Sequence, residues 1–345
     1  MQSLFPGLEA ESLVLGWSFY GPMLIFVFLT VIGTPIWAGI GATSLALLIW
    51  SGALPMSLFG GALFEGIDAF ALTAVPLFIL TGDVLVRTGL SQKFLDVAEA
   101  LTCWTKSGFG SATVVVCGMF SAISGSDAAG AAAVGRMTID RLVASGYPRP
   151  YACALVAAGA CTGILIPPSI SYIIIGLVLG ISASTLFQAA LIPGLLILGG
   201  IFITNTLVNR KYAYEQGKLI SFGAWAKNLL AALKRGWYAF IVPALIFIGI
   251  FSGSLTPTEA GATAVVVTII IGFVIGTLRW SDFVPMLVSS AKVNGVIIPI
   301  IAFSLPLAQV LATMNVPQGF VEAVTSLSEN PPVIILMMIG IRIAA

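Results

Sequence analysis

The chain has no histidine, four cysteines and only 8% charged side chains in 345 residues. Without an imidazole, histidine-based triads, haem ligation and most catalytic zinc sites are excluded. Cys117, Cys153 and Cys161 lie in apolar stretches at no metal-ligand spacing, and Cys103 lies in a short amphipathic segment. All four read as small buried hydrophobes. Soluble domains carry about 25% charge, so this composition excludes a soluble domain. Fifteen basic residues against fourteen acidic ones leave a formal charge of +1, which offers no basic face for nucleic acid. Residues 1–16 include Glu9 and Glu11 but no Lys or Arg. They lack the basic region of a secretory signal, and the first apolar run is expected to be a retained helix.

Apolar residues make up 59% of the chain, with a mean hydropathy of +1.08. This composition describes a polytopic protein embedded in the lipid bilayer. A ~30 Å hydrocarbon core needs ~20 apolar residues per helix, so the length allows about ten membrane segments and leaves no room for a separate soluble catalytic domain. An enzyme is not expected. Apolar runs occur at about 14–32, 34–50, 70–88, 150–180, 182–207, 237–252, 256–278 and 295–313, with a last one from 333. Backbone amides exposed to lipid have no water to bond, so these runs are expected to be helices and the fold all-α.

Basic residues orient the chain, because Lys and Arg stay on the cytoplasmic side. Arg210, Lys211, Lys218, Lys227, Lys234 and Arg235 stand against one acid, Glu215, so the 208–236 connector is placed inside. Counting spans outward puts 87–149 and 279–294 inside as well, and fourteen of the fifteen basic residues then share one side, Arg342 being the exception. The outer segments carry Glu9, Glu11, Glu65, Asp68, Glu322 and Glu329 and no basic residue.

This threading requires that 109–143 enter and leave on the same side. Its first arm, Phe109 to Ile123, spans roughly 22 Å, short of the core. A re-entrant hairpin is therefore expected, with Ser124-Gly125-Ser126 as its tip and the small-residue segment Asp127 to Met137 as its second arm. The alternative, one bent span with a small-residue packing face, would put the six-charge connector outside. Before the hairpin, Leu90 to Lys106 places Leu90, Phe94, Leu95, Ala98 and Leu101 on one face and is expected to lie in the membrane interface. Leu54 to Asp68 and Ser281 to Asn294 are candidates for the same placement.

A second irregularity follows at Gly163-Ile-Leu-Ile166-Pro167-Pro168-Ser169. Neither proline can donate, so the carbonyls of Gly163 and Ile164 lose their helical partners. Bare carbonyls in hydrocarbon are costly unless something binds them, and a desolvated cation suits them. Unwound carbonyls and half-helix C-termini coordinate Na⁺, whereas half-helix N-termini suit a carboxylate. The tip offers both, with Ser121 and Ser124 closing one arm and free amides at Gly125 and Ser126 opening the next. A proline kink satisfied by neighbouring hydroxyls is the competing reading. Asp127 and Glu259 are intramembrane carboxylates, each open to an ion-binding role or to a capping one.

The two halves of the chain share an ordered pattern. Pro22-Met-Leu-Ile-Phe26 resembles Pro243-Ala-Leu-Ile-Phe247, Thr34-Pro35 resembles Thr256-Pro257, and Ala38-Gly39 resembles Ala260-Gly261. In the threading above the halves have opposite topology, as in secondary transporters with inverted repeats. Chance matching of helix-boundary Gly and Pro is the competing explanation. The division expected is a first repeat over 1–207, with a hairpin at about 109–143, a broken helix at about 150–180 and a helix at 182–207. The basic connector at 208–236 and an incomplete second repeat at 237–345 follow.

Ser124-Gly-Ser126 with Ala131-Ala-Ala-Val-Gly135, Gly146-Tyr147, Gly163-Ile-Leu-Ile-Pro-Pro-Ser169-Ile and Thr256-Pro-Thr-Glu-Ala-Gly261, in this order across nearly the whole chain, resemble the DctM-type large membrane subunit of tripartite ATP-independent periplasmic (TRAP) transporters. The resemblance implies an elevator-type secondary transporter of the bacterial inner membrane. Such a protein uses a Na⁺ gradient to import an organic acid, with a DctP-type periplasmic binding protein and a DctQ-type small subunit as partners. Carried over by motif, a sodium site would involve Ser121 and Ser124 with backbone oxygens of Gly163, Ile166 and Pro168. Gly125, Ser126 and Ser169 would contact the carboxylate substrate. Asp127 departs from the family pattern, which often has a small residue there. The family also continues to a second hairpin. Shifting the first tip by about 226, as Phe94 and Phe320 suggest, places the second tip near position 350, beyond Ala345. The chain is accordingly expected to be a fragment with half of the transport site outside it. A non-transporting scaffold or truncated paralogue is the alternative. An intramembrane hydrolase is more distant, since Ser124-Gly125 has no histidine and Gly82-Asp83 no convincing partner aspartate.

Overall fold

The computed structural model describes residues 17–52, 55–216, 221–326 and 330–344. Glu9, Glu11, Lys218 and Glu329 lie outside the described residues, as does the side chain of Arg342. Among the described residues there is helix and no strand. The helices are α1 (Trp17–Val31), α2 (Ile36–Ser51), α3 (Met56–Ile67), α4 (Ala74–Arg87), α5 (Leu90–Thr102), α6 (Gly108–Ser124), α7 (Asp127–Ala144), α8 (Arg149–Ala160), α9 (Ile170–Leu179), α10 (Ala183–Tyr212), α11 (Phe222–Gly236), α12 (Ile241–Phe251), α13 (Pro257–Ile275), α14 (Phe283–Thr313), α15 (Val316–Thr325) and α16 (Pro331–Ala344).

Among the described residues, five stretches are long and apolar enough to cross a bilayer: Phe70–Arg87, Ala183–Tyr212, Phe222–Phe251, Pro257–Ile275 and Trp280–Thr313. Their outward surfaces are aliphatic, with Val274 82% and Leu196 71% exposed. Such faces are compatible with lipid and not with water. Inside, the Thr81 hydroxyl returns to the Leu77 carbonyl and the Thr268 hydroxyl to the Ala264 carbonyl of their own helices, so these two carry no unpaired donor into the apolar interior. The chain is a polytopic membrane protein.

The described residues fall into two compact units. The smaller lies within Met1–Asp68 and Val296–Ala345. There Leu47, Leu48, Phe59 and Val310 form the core. Trp37 stacks on Phe303 at 6.1 Å, and a Cβ at Gly41 would come within 2.9 Å of the Phe303 ring, so glycine lets α2 approach α14 closely.

The larger unit, Ala69–Gly295, is built around α6. Gly89, with φ +71°, supplies the left-handed turn that folds α5 back from α4. The buried face of α5 is Leu90, Phe94, Leu95, Val97 and Ala98, with Phe94 edge-on to Phe240 at 5.3 Å. Leu101 is not on it; it is 38% exposed, and its carbonyl receives the Trp225 indole N–H. That bond comes from α11, a helix within the connector. The run of basic residues had obscured an amphipathic pattern whose apolar side packs on α5.

Three further expectations change. Residues 281–294 are not a separate interfacial segment: from Phe283 they run without a break into α14, with Pro299 and Pro306 inside the helix. Cys153 and Cys161 are exposed, and only Cys117 of the four cysteines is fully buried. The second hairpin arm, α7, has 18 residues and extends past Met137 to Ala144.

Candidate functional site

The sequence Ser-Gly-Ser between α6 and α7 is a complete turn. Gly125 takes φ +61° and closes α6 by donating its amide to the Ser121 carbonyl. Ser126 then takes an extended conformation and caps α7, its hydroxyl accepting from the Ala129 amide at 3.4 Å. With two residues between the helices the chain must reverse, and Gly130 comes to lie beside Phe120 and Ser121.

The proline motif interrupts the next helix. After α8 comes a single 3₁₀ turn, Cys161–Gly163, and α9 resumes only at Ile170. The Pro167–Pro168 peptide is cis. Within the gap, the Thr162 carbonyl receives the amides of Leu165 and Ile166. In a continued helix the carbonyls of Gly163 and Ile164 would bond the amides of positions 167 and 168, both prolines with no N–H to offer.

Hairpin tip and helix break touch at two points. The Gly125 carbonyl accepts the Ile170 amide at 3.2 Å, and a Cβ on Gly125 would sit 2.8 Å from the Pro168 oxygen. A Cβ on Gly163 would sit 2.9 Å from the Asp127 nitrogen. Only glycine fits at either contact. On α4, Gly82 makes similar room, its Cβ position lying 3.1 Å from Cβ of Ser124. Four helix ends therefore meet: the C-terminal ends of α6 and of the α8 turn, and the N-terminal ends of α7 and α9. Each helix end carries about half an elementary charge, negative at the C-termini and positive at the N-termini.

The side chains at this junction differ in how far they are committed. Ser121 Oγ donates to the Cys117 carbonyl at 2.6 Å, and Ser124 Oγ lies 3.4 Å from the Ser126 carbonyl. Ser169 stands at the N-cap position of α9, fully buried, and its hydroxyl has no hydrogen-bond partner. An unpaired buried hydroxyl costs about 1–3 kcal/mol, so this is the group with capacity to spare for a ligand. Ile166 contributes to packing: its side chain lies against the positions of Gly118 and Gly194, where glycine lets α6 and α10 close in.

The two carboxylates divide differently. Asp127 opens α7, half-buried, with its carboxylate on the Ala128 amide at 2.7 Å. It thus caps the helix while standing at the junction. Glu259 is exposed and fully engaged in a capping box, accepting from the Thr256 amide at 2.8 Å and hydroxyl at 2.9 Å. Both of these bonds close the N-terminus of α13. Among the described residues no group of three His, Cys, Asp or Glu side chains gathers to hold a metal; the junction's donors are neutral backbone and hydroxyl oxygens, with one nearby carboxylate.

The opposite end of the hairpin shows residues that the sequence reading passed over. Glu215 accepts the amides of Phe109 at 2.8 Å and Gly110 at 3.2 Å, and the Tyr147 hydroxyl at 3.2 Å. Both ends of the hairpin thus meet at one carboxylate. Burial, and then the charge of Glu215, push the Tyr147 phenol upward, so it remains a neutral donor. Nearby, Arg141 pairs with Glu99 at 2.7 Å and covers the Phe109 ring at 4.3 Å. Glu99 is held above the ordinary 4.5 by burial, against the opposing pull of Arg141. The available signal was Glu215 itself, a lone acid in a basic stretch, together with Asn205 and Asn209 one turn apart in apolar α10.

These features define a polytopic membrane protein with a polar site buried among interrupted helices. Residues 23–344 match the family described as tripartite ATP-independent periplasmic transporter, DctM component. The chain belongs to that family, the large permease proteins of TRAP transporters. It is 32% identical over 297 residues to the C4-dicarboxylate TRAP transporter large permease protein DctM of Pseudomonas aeruginosa, covering 84% of this chain and 69% of that protein. To the isethionate TRAP transporter permease protein DctMQ of Oleidesulfovibrio alaskensis it is 31% identical over 317 residues, covering 91% of this chain and 49% of that one. The sialic acid TRAP transporter large permease protein SiaM of Vibrio cholerae is 28% identical over 307 residues, covering 89% of this chain and 71% of its own. The chain therefore spans about half the length of the isethionate permease DctMQ and about 70% of the other two relatives.

Proposed function

We propose that this chain supplies the first half of the transport site of a Na⁺-coupled, binding-protein-dependent importer of an organic acid in the bacterial inner membrane. The observation that carries the proposal is the docking of the Gly125 carbonyl on the Ile170 amide with Gly163 against Asp127. Two C-terminal helix ends present carbonyls and the hydroxyls of Ser121 and Ser124 to a cation. The oxygens of Gly163, Ile166 and Pro168 complete the cation's proposed donor set. Two N-terminal ends face a carboxylate, and Ser169 is the side chain free to hydrogen-bond it. Ser126 is less available, since it already caps α7.

The hairpin is proposed to be re-entrant. Its first helix has 17 residues, about 26 Å, which is shorter than a ~30 Å core, and its two ends share Glu215. An inverted repeat is proposed on a local match: Gly89 and Asn315, 226 positions apart, both adopt left-handed conformations at the start of short helices, α5 and α15. The relatives' names support an organic acid as substrate, and DctMQ supports a small membrane partner. An elevator-type movement and delivery by a DctP-type periplasmic protein belong to the same proposal.

The test is uptake of a labelled organic acid by proteoliposomes containing the full-length chain with its partner subunits. Uptake should require an inward Na⁺ gradient and be abolished by Gly163→Val and by Ser124→Leu with assembly intact. Uptake with unchanged Na⁺ dependence in both variants would overturn the site. A stable complex that shows no Na⁺-driven uptake would point instead to a scaffold.

A further inference from the structure

We propose that Glu215 is a positioning residue for the cation and carboxylate site, acting from the far end of the hairpin; the inference rests on the functional reading above. Its carboxylate takes the Phe109 amide with both oxygens, at 2.8 and 3.1 Å, and the Gly110 amide at 3.2 Å. These are first-turn amides of α6, which have no partner within the helix. The Tyr147 hydroxyl, just past α7, reaches the same carboxylate at 3.2 Å. Glu215 is itself held by its backbone: its amide donates to Asn209 Oδ1 at 2.8 Å, and its carbonyl receives the Asn209 side-chain amide at 3.0 Å. Asn209 lies in α10 and is buried. The hairpin is thus fastened at both ends to one fixed point on the end of α10.

The space around the fastening is closed. A Cβ on Gly110 would lie 2.4 Å from the Tyr147 hydroxyl, and one on Gly146, at φ +106°, would lie 2.2 Å from the Tyr214 carbonyl. The tip is equally constrained, with Gly125 and Gly163 in contact against Pro168 and Asp127. Between these points α6 is an uninterrupted 17-residue helix, and a helix transmits displacement along its axis. A slip of one residue at the base moves the tip by about 1.5 Å and turns it by about 100°. That would carry Ser121, Ser124 and Gly125 out of register with the broken helix. The length of the Glu215 side chain therefore sets the register of the site, while its charge has a smaller part.

Length and charge separate experimentally. Glu215→Gln keeps the reach and one acceptor oxygen. Glu215→Asp keeps the charge and withdraws it by one methylene. In reconstituted full-length transporter, Glu215→Asp should raise the Na⁺ concentration for half-maximal uptake about tenfold or more, because a displacement near 1 Å at a positioned site costs up to about 10²-fold. The maximal rate should change far less. Glu215→Gln, which keeps the reach and one acceptor, and Tyr147→Phe, which leaves Glu215 on the α6 amides, should each shift that Na⁺ concentration less than Glu215→Asp. Hydrogen exchange measured alongside should show faster exchange at Ser124–Asp127 in the Asp variant than in the Gln variant. Unchanged Na⁺ dependence and unchanged tip exchange in Glu215→Asp would overturn the inference, as would equal defects in the Asp and Gln variants. If the wild type shows no Na⁺ dependence, the functional reading fails, and tip exchange alone then decides the positioning role.

Discussion

Gly125 and Ile170 are 45 positions apart, yet the carbonyl of one accepts the amide of the other at 3.2 Å. This bond joins the C-terminal end of α6 to the N-terminal end of α9, two ends that elsewhere would be left to water. In an apolar surrounding an unsatisfied backbone group is costly, so the bond ties the two interruptions into one site. The oxygens and amides left over at the same place are the ones available to an ion and an anion.

The contact makes Gly125 intolerant of a side chain. Gly125→Ala would combine a left-handed φ, worth about 1–2 kcal/mol, with a Cβ 2.8 Å from the Pro168 oxygen. A drop in thermal midpoint together with loss of Na⁺-dependent stabilisation is expected. A variant that is destabilised but retains a full response to Na⁺ would place the ion elsewhere.

Ser169 and Ser121 should behave oppositely when truncated. Ser121→Ala removes a 2.6 Å bond to the Cys117 carbonyl, which costs about 0.5–1.5 kcal/mol. Ser169→Ala removes a hydroxyl without a partner and should leave the empty protein as stable or more so, while weakening carboxylate binding. Thermal unfolding with and without the labelled acid separates the two effects.

Thr256→Ala should lower stability by about 0.5–2 kcal/mol through loss of the α13 cap. It should leave the Na⁺ concentration for half-maximal uptake unchanged. A shift in that concentration would return Glu259, its capping partner, to the list of ion-site candidates.

Glu99 gives a pH dependence of defined sign. Its pKa in the fold lies above the ordinary 4.5 because burial outweighs the pull of Arg141. Its protonation therefore favours the folded state: that stability is fully present below the unfolded value and is lost as pH rises through the folded value. Glu99→Gln should accordingly be at least as stable as wild type at neutral pH. The difference in thermal midpoint should close as the pH falls below about 4.5.

Much of this fold can be read from the chain because the bilayer leaves few options. Long aliphatic runs must be helices, and Ser-Gly-Ser followed by an Ala-rich stretch states both a C-cap and an N-cap. The double proline marks the break at 161–169 for the same reason, since its missing donors are a chemical certainty. Other parts depend on long-range packing. Basic residues made 208–236 look like a loop, whereas α11 uses its apolar face against α5, a pairing fixed by the Trp225–Leu101 bond and by Gly236 against Lys93. Ser281 to Asn294 looked like a separate interfacial segment, yet from Phe283 it is the first part of α14. Cys153 and Cys161 looked buried because lipid-facing and core-facing residues share the same apolar character. Glu215 could not be recognised as the fastening of the hairpin, because its partners lie 105 and 106 positions earlier and 68 positions away.

The central claim is that the two C-terminal helix ends of this junction bind Na⁺, and the most direct measurement is the thermal midpoint of the purified chain titrated with NaCl against KCl and choline chloride at equal ionic strength. A ligand that binds the folded state alone stabilises it by RT ln(1 + [L]/Kd), about 2.7 kcal/mol at one hundred times Kd. The account predicts a saturable rise with Na⁺ only, lost in Gly163→Val. An equal rise with all three salts, or a full Na⁺ response in Gly163→Val, would contradict it.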